Sequence, residues 1–388
     1  MIKNLKKWTK PQKIKSTILF PLSKSFIITE PLGKILIISP WNYPFNLTIM
    51  PLIGAIAAGN KVILKPSEIS THTTKILQKI IKDNFNKKYI EIISGGPKET
   101  QKILNQKFDY IFFTGSENIG KIIMRKASKN LTPITLELGG KSPCIIDKET
   151  NLEKTASRIV YGKFLNTGQT CIAPDYLLIN KEIKEKLIQK IIEKIEQLYT
   201  KNPEQSKDYG KIINKNHYER LSNYTKDKNT KIIYQTSKNN KKNLYFSPTL
   251  IEINIKNKKS KITQEEIFGP ILPIIEYNNL NQAIKYINNK PKPLALYIFS
   301  NSQTTQKKIL NQTSSGTVCI NDTIIQLANP HLPFGGVGNS GFGKYHGKSS
   351  FDTFSNKKSI MQNTTLFEIP KRYPPYNKLS LKLIKKIL

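Results

Sequence analysis

At 388 residues the chain exceeds the length at which a single hydrophobic core keeps growing, so two core-bearing domains are expected. No uninterrupted apolar run approaches the roughly 18 residues that span a bilayer, and the basic start MIKNLKKWTKPQKIK lacks the apolar stretch of a signal peptide, so a cytoplasmic protein is expected. The 62 Lys plus Arg against 27 Asp plus Glu give a charge of +35, but the excess is mostly lysine, spread evenly and accompanied by abundant Ile and Asn, without the concentrated basic and aromatic stretches of nucleic-acid modules, so specific nucleic-acid binding is set aside.

Short apolar runs at 35–39, 61–65, 89–93, 109–113 and 134–138 predict buried strands, and the segments 47–58, 71–84 and 117–129 between them carry helical spacing. This alternation predicts an α/β fold with a doubly wound parallel sheet. Gly59 and Asn60 form a helix stop, and Pro66 and Pro133 mark strand boundaries. The segments 142–146, 152–164 and 176–179 and a lysine-rich helix over 181–199 open a second strand-helix series. The most polar stretch, 226–261, predicts surface loops around short strands; a strand at 271–277, a helix at 280–288 and a strand at 294–300 extend the second unit. The tail from 350 reads as extended and then basic-helical, amphipathic over 378–388. No solenoid-type repeat is present.

The three cysteines, Cys144, Cys171 and Cys319, are too few and too scattered for a disulfide framework or a zinc site with close ligand pairs. Four histidines without a close pair at ligand spacing give no metal site, even with His331 and His346 near the glycine-rich 333–347 segment. Burial as a small hydrophobe is the ordinary fate of a free cysteine, and it suits Cys144 and Cys319 in their apolar runs. Cys171 instead follows the polar, glycine-containing stretch NTGQT, which suits a loop holding a side chain toward a cleft, where a neighbouring positive charge lowers a thiol pKa.

Asn42 follows the first predicted strand between Pro40 and Pro44; it reads either as an Asx turn or as an amide donor toward an oxyanion. Glu137 lies within the apolar run LELGG, where a solvent-facing side chain is the commoner outcome and a buried one would have a raised pKa suited to a general base. The cofactor unit over 1–138 carries no GxGxxG. Thr114, Gly115 and Ser116 follow a predicted strand and open the helix at 117, with Gly120 one turn in; this reads as a plain strand-to-helix turn or as a site where helix N-terminal amides meet a pyrophosphate. Lys65 and Glu68 follow the second strand, where a doubly wound sheet presents a dinucleotide, and a carboxylate there accepts ribose hydroxyls and repels a 2'-phosphate.

Seven segments in order, SPWNYPF at 39–45, LKPSE at 64–68, FFTGSENIG at 112–120, LELGGKSP at 136–143, NTGQTCIAPDY at 166–176, EEIFGP at 265–270 and PFGGVGNSGFGKYHG at 333–347, resemble the aldehyde dehydrogenase superfamily. The wording PWNYPF, QTCIAPDY and GKYHG is most similar to its class 3 branch. The resemblance covers the chain from about Trp8 onward. It implies NAD(P)-dependent oxidation of a fatty or aromatic aldehyde to the acid, with Cys171 as nucleophile, Asn42 and the Cys171 backbone N–H as oxyanion donors and Glu137 as the general base that hydrolyses the thioester. The presence of Glu137 argues against transfer of the acyl group to coenzyme A. For the cofactor it implies Lys65, Glu68, Gly115, Ser116 and Gly120, with Glu266 on the nicotinamide ribose and Phe268 beside the nicotinamide ring. Glu68 favours NAD, with NADP possible.

The expected units are a dinucleotide-binding domain over 1–138, with bridging strands near 19–29, a catalytic domain over 139–341, and a bridging and oligomerisation segment with a C-terminal tail over 342–388. The resemblance further implies a homodimer and several tens of residues of helix ahead of the point where this chain begins, so either a misplaced start or a lost N-terminal helical piece is expected. The terminal LKLIKKIL is too short to span a membrane and at most lies on an anionic surface.

Overall fold

Three sheets organise a computed structural model that describes all of residues 1–388 except 18, 19, 21, 258, 259, 367, 369–372 and 388, together with the side chains at 380, 383, 384, 386 and 387. Residues 19 and 21 of the expected bridging stretch and much of the apolar face expected at 378–388 therefore lie outside the described residues.

The first sheet has six strands in the spatial order Gly341–Phe342, Ile134–Leu138, Tyr110–Gly115, Lys34–Ile38, Lys61–Lys65, Ile90–Ile92. All neighbours are parallel except the first pair. Its inner strands are apolar on both faces, with Ile35, Leu36 and Ile37 fully buried, as helices on both sides of a parallel sheet require. From Lys34–Ile38 the chain winds one way through Asn46–Ala57 and Thr71–Asn84, and from Tyr110–Gly115 the other way through Glu117–Ser128. The winding reverses between those two strands, and such a reversal opens a crevice at the carboxyl ends of the strands.

The second sheet has seven strands in the order Lys231–Gln235, Thr249–Glu252, Ile271–Tyr277, Tyr176–Asn180, Pro143–Ile146, Ala295–Phe299, Thr317–Ile320. It is parallel apart from the first strand, which runs antiparallel at the edge. One core cluster runs from Ile35 and Phe112 of the first sheet to Cys144, Ile159 and Leu177 of the second unit, so the two sheets share buried apolar surface.

The third sheet is antiparallel, with Lys24–Pro31 between Gln12–Ile14 and Ser355–Gln362. The eight-residue register from Ser355↔Pro31 to Gln362↔Lys24 joins the two ends of the chain.

Two stretches differ from the sequence reading. The tail does not become extended at 350, because Gly347–Thr353 is first a helix packed on Asn46–Ala57. A Cβ built on Gly54 would lie 2.7 Å from Ser350 Cβ, so the two helices meet closely and bury Ser350 and Phe351. At 341 the chain adds Gly341–Phe342 to the edge of the first sheet, opposite Glu137 and Leu136. The helices Pro97–Leu104, Lys215–Thr225 and Gln303–Gln312 carried no readable apolar stripe, since each buries no more than three side chains and Gln303–Gln312 buries only Ile309.

Candidate active site

The carboxyl ends of four neighbouring strands of the first sheet carry most of the expected site. Asn42 lies beyond Lys34–Ile38, Lys65 and Glu68 at the end of Lys61–Lys65, Gly115 and Ser116 at the end of Tyr110–Gly115, and Glu137 within Ile134–Leu138. Asn42 and Gly115 flank the winding reversal. The catalytic-unit segments reach this edge from the amino ends of their own strands: Cys171 precedes Tyr176–Asn180, and Glu266 precedes Ile271–Tyr277.

The loop bearing Cys171 is shaped by three successive residues with left-handed backbone, Asn166 (φ 50°), Thr167 (φ 56°) and Gly168 (φ 72°). Only glycine adopts that region freely, so the loop is strained and must be held by its contacts. The side chain of Asn42 donates to Gln169 O at 3.1 Å, and Asn166 Nδ2 donates to Asn42 O at 3.0 Å. Gln169, itself buried, donates to Lys211 O and accepts from Ile213 N, each at 3.0 Å. Tyr43 and Thr170 share a hydroxyl hydrogen bond of 2.7 Å. One N–H of the Asn42 amide is thereby engaged in holding the cysteine loop. Beside this loop a cleft of about 640 Å³ is lined by Asn42, Tyr43, Phe45, Asn166 and Tyr209.

Cys171 is half-buried, whereas Cys144 and Cys319 are buried. Burial pushes its thiol up to about 12, with the Glu266 and Glu137 carboxylates adding to the rise, while the backbone N–H groups of Cys171 and Ile172 oppose it. The chain's own groups therefore do not supply the lowered thiol pKa that the loop position suggested, because burial disfavours the thiolate and the titratable groups that act on it are carboxyls rather than cations.

Glu137 is 3% exposed, and neither carboxylate oxygen has a hydrogen-bond partner among the described residues. Burial holds its carboxyl well above the usual carboxylate range, against the Lys344 ammonium, which lowers it. Lys344 is tied by its ammonium to Gly335 O and, at 3.3 Å, to Gly336 O. The glycine-rich crossing at 335–343 leaves room at this edge: a Cβ on Gly335 would lie 2.7 Å from Glu137 Oε1. Tyr345, behind it, has a phenol raised by burial and by the nearby Glu137 and Cys171.

Glu266 is raised to about 8 by burial and by Asp175, opposed by the Gly140 backbone N–H. Its oxygens lie over Gly139, where a Cβ would come within 2.1 Å and 2.3 Å of them. Phe268, held at φ 47°, meets Trp41 edge-on at 5.5 Å, and Trp41 also packs on His217 at 5.2 Å. Lys65 is buried, donates to Pro66 O at 2.9 Å and lies 3.8 Å from the half-exposed Glu68. Gly115 packs against the Phe113 ring, Ser116 caps the helix Glu117–Ser128 without a side-chain hydrogen bond, and Gly120 lets that helix approach Leu138 to 3.0 Å of a would-be Cβ. Thus Cys171, Glu137, Asn42, Glu266 and Phe268 gather at one place, and Lys65, Glu68, Gly115 and Ser116 extend from it along the sheet edge.

The model of the aldehyde dehydrogenase family matches residues 2–360. The chain belongs to the aldehyde dehydrogenase family. It is 48% identical over 375 residues to the 4,4'-diaponeurosporen-aldehyde dehydrogenase of Staphylococcus aureus, covering 96% of this chain and 81% of that one. It is 45% identical over 376 residues to the dimeric NADP-preferring aldehyde dehydrogenase of Mus musculus, covering 96% and 82%. The solved substrate-bound state of Staphylococcus aureus AldH superposes with a TM-score of 0.94 at 46% identity, over 99% of this chain and 83% of that one. Other similar relatives carry family 3 names, in agreement with the class 3 wording of the motifs. The protein is an oxidoreductase of this family, whose members oxidise aldehydes with NAD or NADP.

Several groups of this dehydrogenase site were missed in the sequence. Lys141 and Asp175 lie inside quoted motifs, yet a lysine after two glycines and an aspartate after a proline both read as surface charges; the structure buries them as an ion pair of 2.6 Å. Arg220, whose Nη1 donates to Glu266 O at 3.2 Å, sits on a helix too polar to be noticed. Among the described residues no helix is long and apolar enough to cross a membrane.

Proposed function

We propose that this dehydrogenase converts an aldehyde, fatty or aromatic, to its carboxylic acid through a thiohemiacetal and a thioester on Cys171. The observation that carries this reading is the buried Glu137 carboxylate, without a hydrogen-bond partner among the described residues and within electrostatic reach of the Cys171 sulfur. A carboxyl kept dry and unpaired is a group set to take a proton near neutral pH, and a thioester awaiting water needs such a base.

The residues present fit a nicotinamide dinucleotide. Glu266 lies over Gly139, whose missing side chain leaves room for its carboxylate, and Glu68 and Lys65 stand at the carboxyl end of a parallel strand beside the winding reversal. We assign Glu266, Phe268, Lys65, Glu68, Gly115, Ser116 and Gly120 to holding it; when bound, it supplies the acceptor for hydride. Asn42 holds the cysteine loop and keeps one amide N–H for the oxyanion, with the Cys171 backbone N–H as the second donor. Glu137 then draws a proton from water as the water attacks the thioester carbonyl, releasing the acid and restoring the thiol.

Glu68 supports NAD over NADP, since its carboxylate repels a 2'-phosphate, while the NADP-preferring mouse relative keeps NADP open. The antiparallel sheet supports a homodimer, because the exposed strand Ser355–Gln362 forms its edge. Three free cysteines support a cytoplasmic location.

The test is absorbance at the NADH band with short, long and aromatic aldehydes and either dinucleotide, with and without coenzyme A. Reduction of the dinucleotide with acid as product, unchanged by coenzyme A, is expected. A rate that rises with coenzyme A would overturn the hydrolytic step, and no reduction by folded protein would overturn the enzymatic reading as a whole.

A further inference from the structure

Lys141 and Asp175 form a buried pair at 2.6 Å, and the pair sits between the three chain segments on which the proposed chemistry rests. Lys141 follows Glu137 by four residues, Asp175 follows Cys171 by four, and both reach the segment that carries Glu266.

The hydrogen bonds are complete. The Lys141 ammonium has three N–H donors and three acceptors: Asp175 Oδ2 at 2.6 Å, Ile262 O at 2.8 Å and Glu265 O at 2.9 Å. The second carboxylate oxygen of Asp175 accepts from Ile267 N at 2.9 Å. Backbone atoms at 262, 265 and 267 are thus fixed by one ion pair, and Glu266 lies between the last two. Asp175 N in turn donates to Ser142 O at 2.8 Å, which ties the end of the cysteine segment to the residue after Lys141. An ion pair out of water is costly unless every donor and acceptor is matched, so its presence here calls for a role that apolar packing does not fill.

We infer that Lys141 and Asp175 are positioning residues that fix Glu266 over Gly139 and Gly140 and so set where the nicotinamide end of the dinucleotide is held relative to Cys171. The inference rests on the cofactor reading given above. Neither side chain touches the reacting atoms; both act through the backbone of 262–267. Glu266 and Phe268 belong to one short run, and Phe268 meets Trp41 edge-on at 5.5 Å, so displacement of the run is visible at Trp41.

Trp8 is the other tryptophan and lies against Phe351. In a Trp8→Phe background, emission therefore reports Trp41 alone. The experiment compares that protein with its Lys141→Met/Asp175→Leu double variant, which removes both charges together so that neither is left buried and unpaired. Trp41 emission without ligand, the NADH dissociation constant and the Michaelis constants for dinucleotide and aldehyde are measured. We expect cooperative unfolding to be retained, Trp41 emission to shift, and the NADH dissociation constant and dinucleotide KM to rise at least tenfold while the aldehyde KM stays within about twofold. Unchanged emission and unchanged NADH affinity in the folded double variant would overturn the inference. If the double variant does not fold, Asp175→Asn keeps an oxygen for Ile267 N–H but loses the charge facing Lys141; a rise in the NADH dissociation constant is again expected, and none would overturn the inference. If the parent protein itself binds no NADH, the cofactor reading fails, and the Trp41 emission still decides whether the pair fixes the segment.

Discussion

The side-chain amide of Asn42 donates to the backbone oxygen of Gln169 at 3.1 Å, joining two residues 127 positions apart and setting the loop that ends in Cys171. The same amide thus stabilises a strained loop and, in the proposed mechanism, keeps its second N–H for charge that develops on the aldehyde oxygen. Replacement by alanine removes both. For Asn42→Ala, kcat should fall by about 10²–10³, the usual effect of losing one oxyanion donor. Steady-state kinetics check this, and an unchanged kcat would remove Asn42 from the chemistry.

Glu137 gives a prediction of sign as well as size. Its folded-state pKa lies above the ordinary carboxylate value because of burial, so the folded protein holds a proton there that the unfolded chain releases. Folding stability at this group is therefore present at low pH and is lost as pH rises through the raised folded pKa. Glu137→Gln cannot ionise, so its Tm should overtake that of the parent as pH rises. Differential scanning at several pH values reads the crossing. In stopped-flow assays with aldehyde and dinucleotide the same variant should give a burst of reduced dinucleotide followed by turnover slowed by about 10²–10⁴.

The fold was legible because the inner strands of the two large sheets are parallel and buried on two faces and so read as short apolar runs: 61–65, 134–138 and 271–277 coincide with the observed strands. What escaped had no periodic signal. Gln303–Gln312 buries one side chain, and Gly341–Phe342 is a strand only because it meets Ile134–Leu138. The site divides the same way. Cys171 and Glu137 were readable because a thiol after a glycine loop and a carboxylate inside an apolar strand are odd locally. Lys141 and Asp175 are ordinary locally and special only by contact with each other, 34 positions apart, and with backbone atoms 121 and 92 positions further along.

Cys171 should be the one cysteine alkylated by iodoacetamide in the native protein, because Cys144 and Cys319 are buried; denaturant should expose all three. Its thiol stands at about 12, so at neutral pH the thiolate is scarce and alkylation should be slow, rising about tenfold per pH unit toward pH 9. Above pH about 8, where the Glu266 carboxyl is ionised, Glu266→Gln removes one of the two carboxylates that raise this thiol and should speed the reaction at a given pH. Peptide mapping of the labelled protein identifies the site, and equal labelling of all three native cysteines would contradict the assignment.

Glu68 is half-exposed, 3.8 Å from the buried Lys65 ammonium, and lies just beyond the strand end where a ribose of the dinucleotide is proposed to lie. Glu68→Gln keeps the acceptor oxygen and removes the charge. The ratio of kcat/KM for NADP to that for NAD should rise by about tenfold, since one unfavourable charge contact near the surface is worth about 1 kcal/mol or somewhat more. Parallel assays with the two dinucleotides measure it, and an unchanged ratio would place cofactor choice elsewhere.

Gly139→Ala tests the seat of Glu266 without touching its charge. Gly139 has no positive φ, so alanine brings no backbone strain, and the three atoms nearest the new methyl group are those of the Glu266 carboxyl, at 2.1, 2.3 and 2.4 Å, which lie at the end of a flexible side chain. The carboxylate can swing away at little cost to folding, so the Tm should stay within a few degrees. Having swung, it no longer lies where a ribose hydroxyl would donate to it, and a hydrogen bond to a charged group is worth about 1.5–3 kcal/mol. The dinucleotide KM should therefore rise roughly ten- to hundred-fold while the aldehyde KM changes little. Kinetics with varied dinucleotide decide the point: an unaltered dinucleotide KM in this variant would mean that Glu266, for all its confinement above two glycines, does not hold the cofactor.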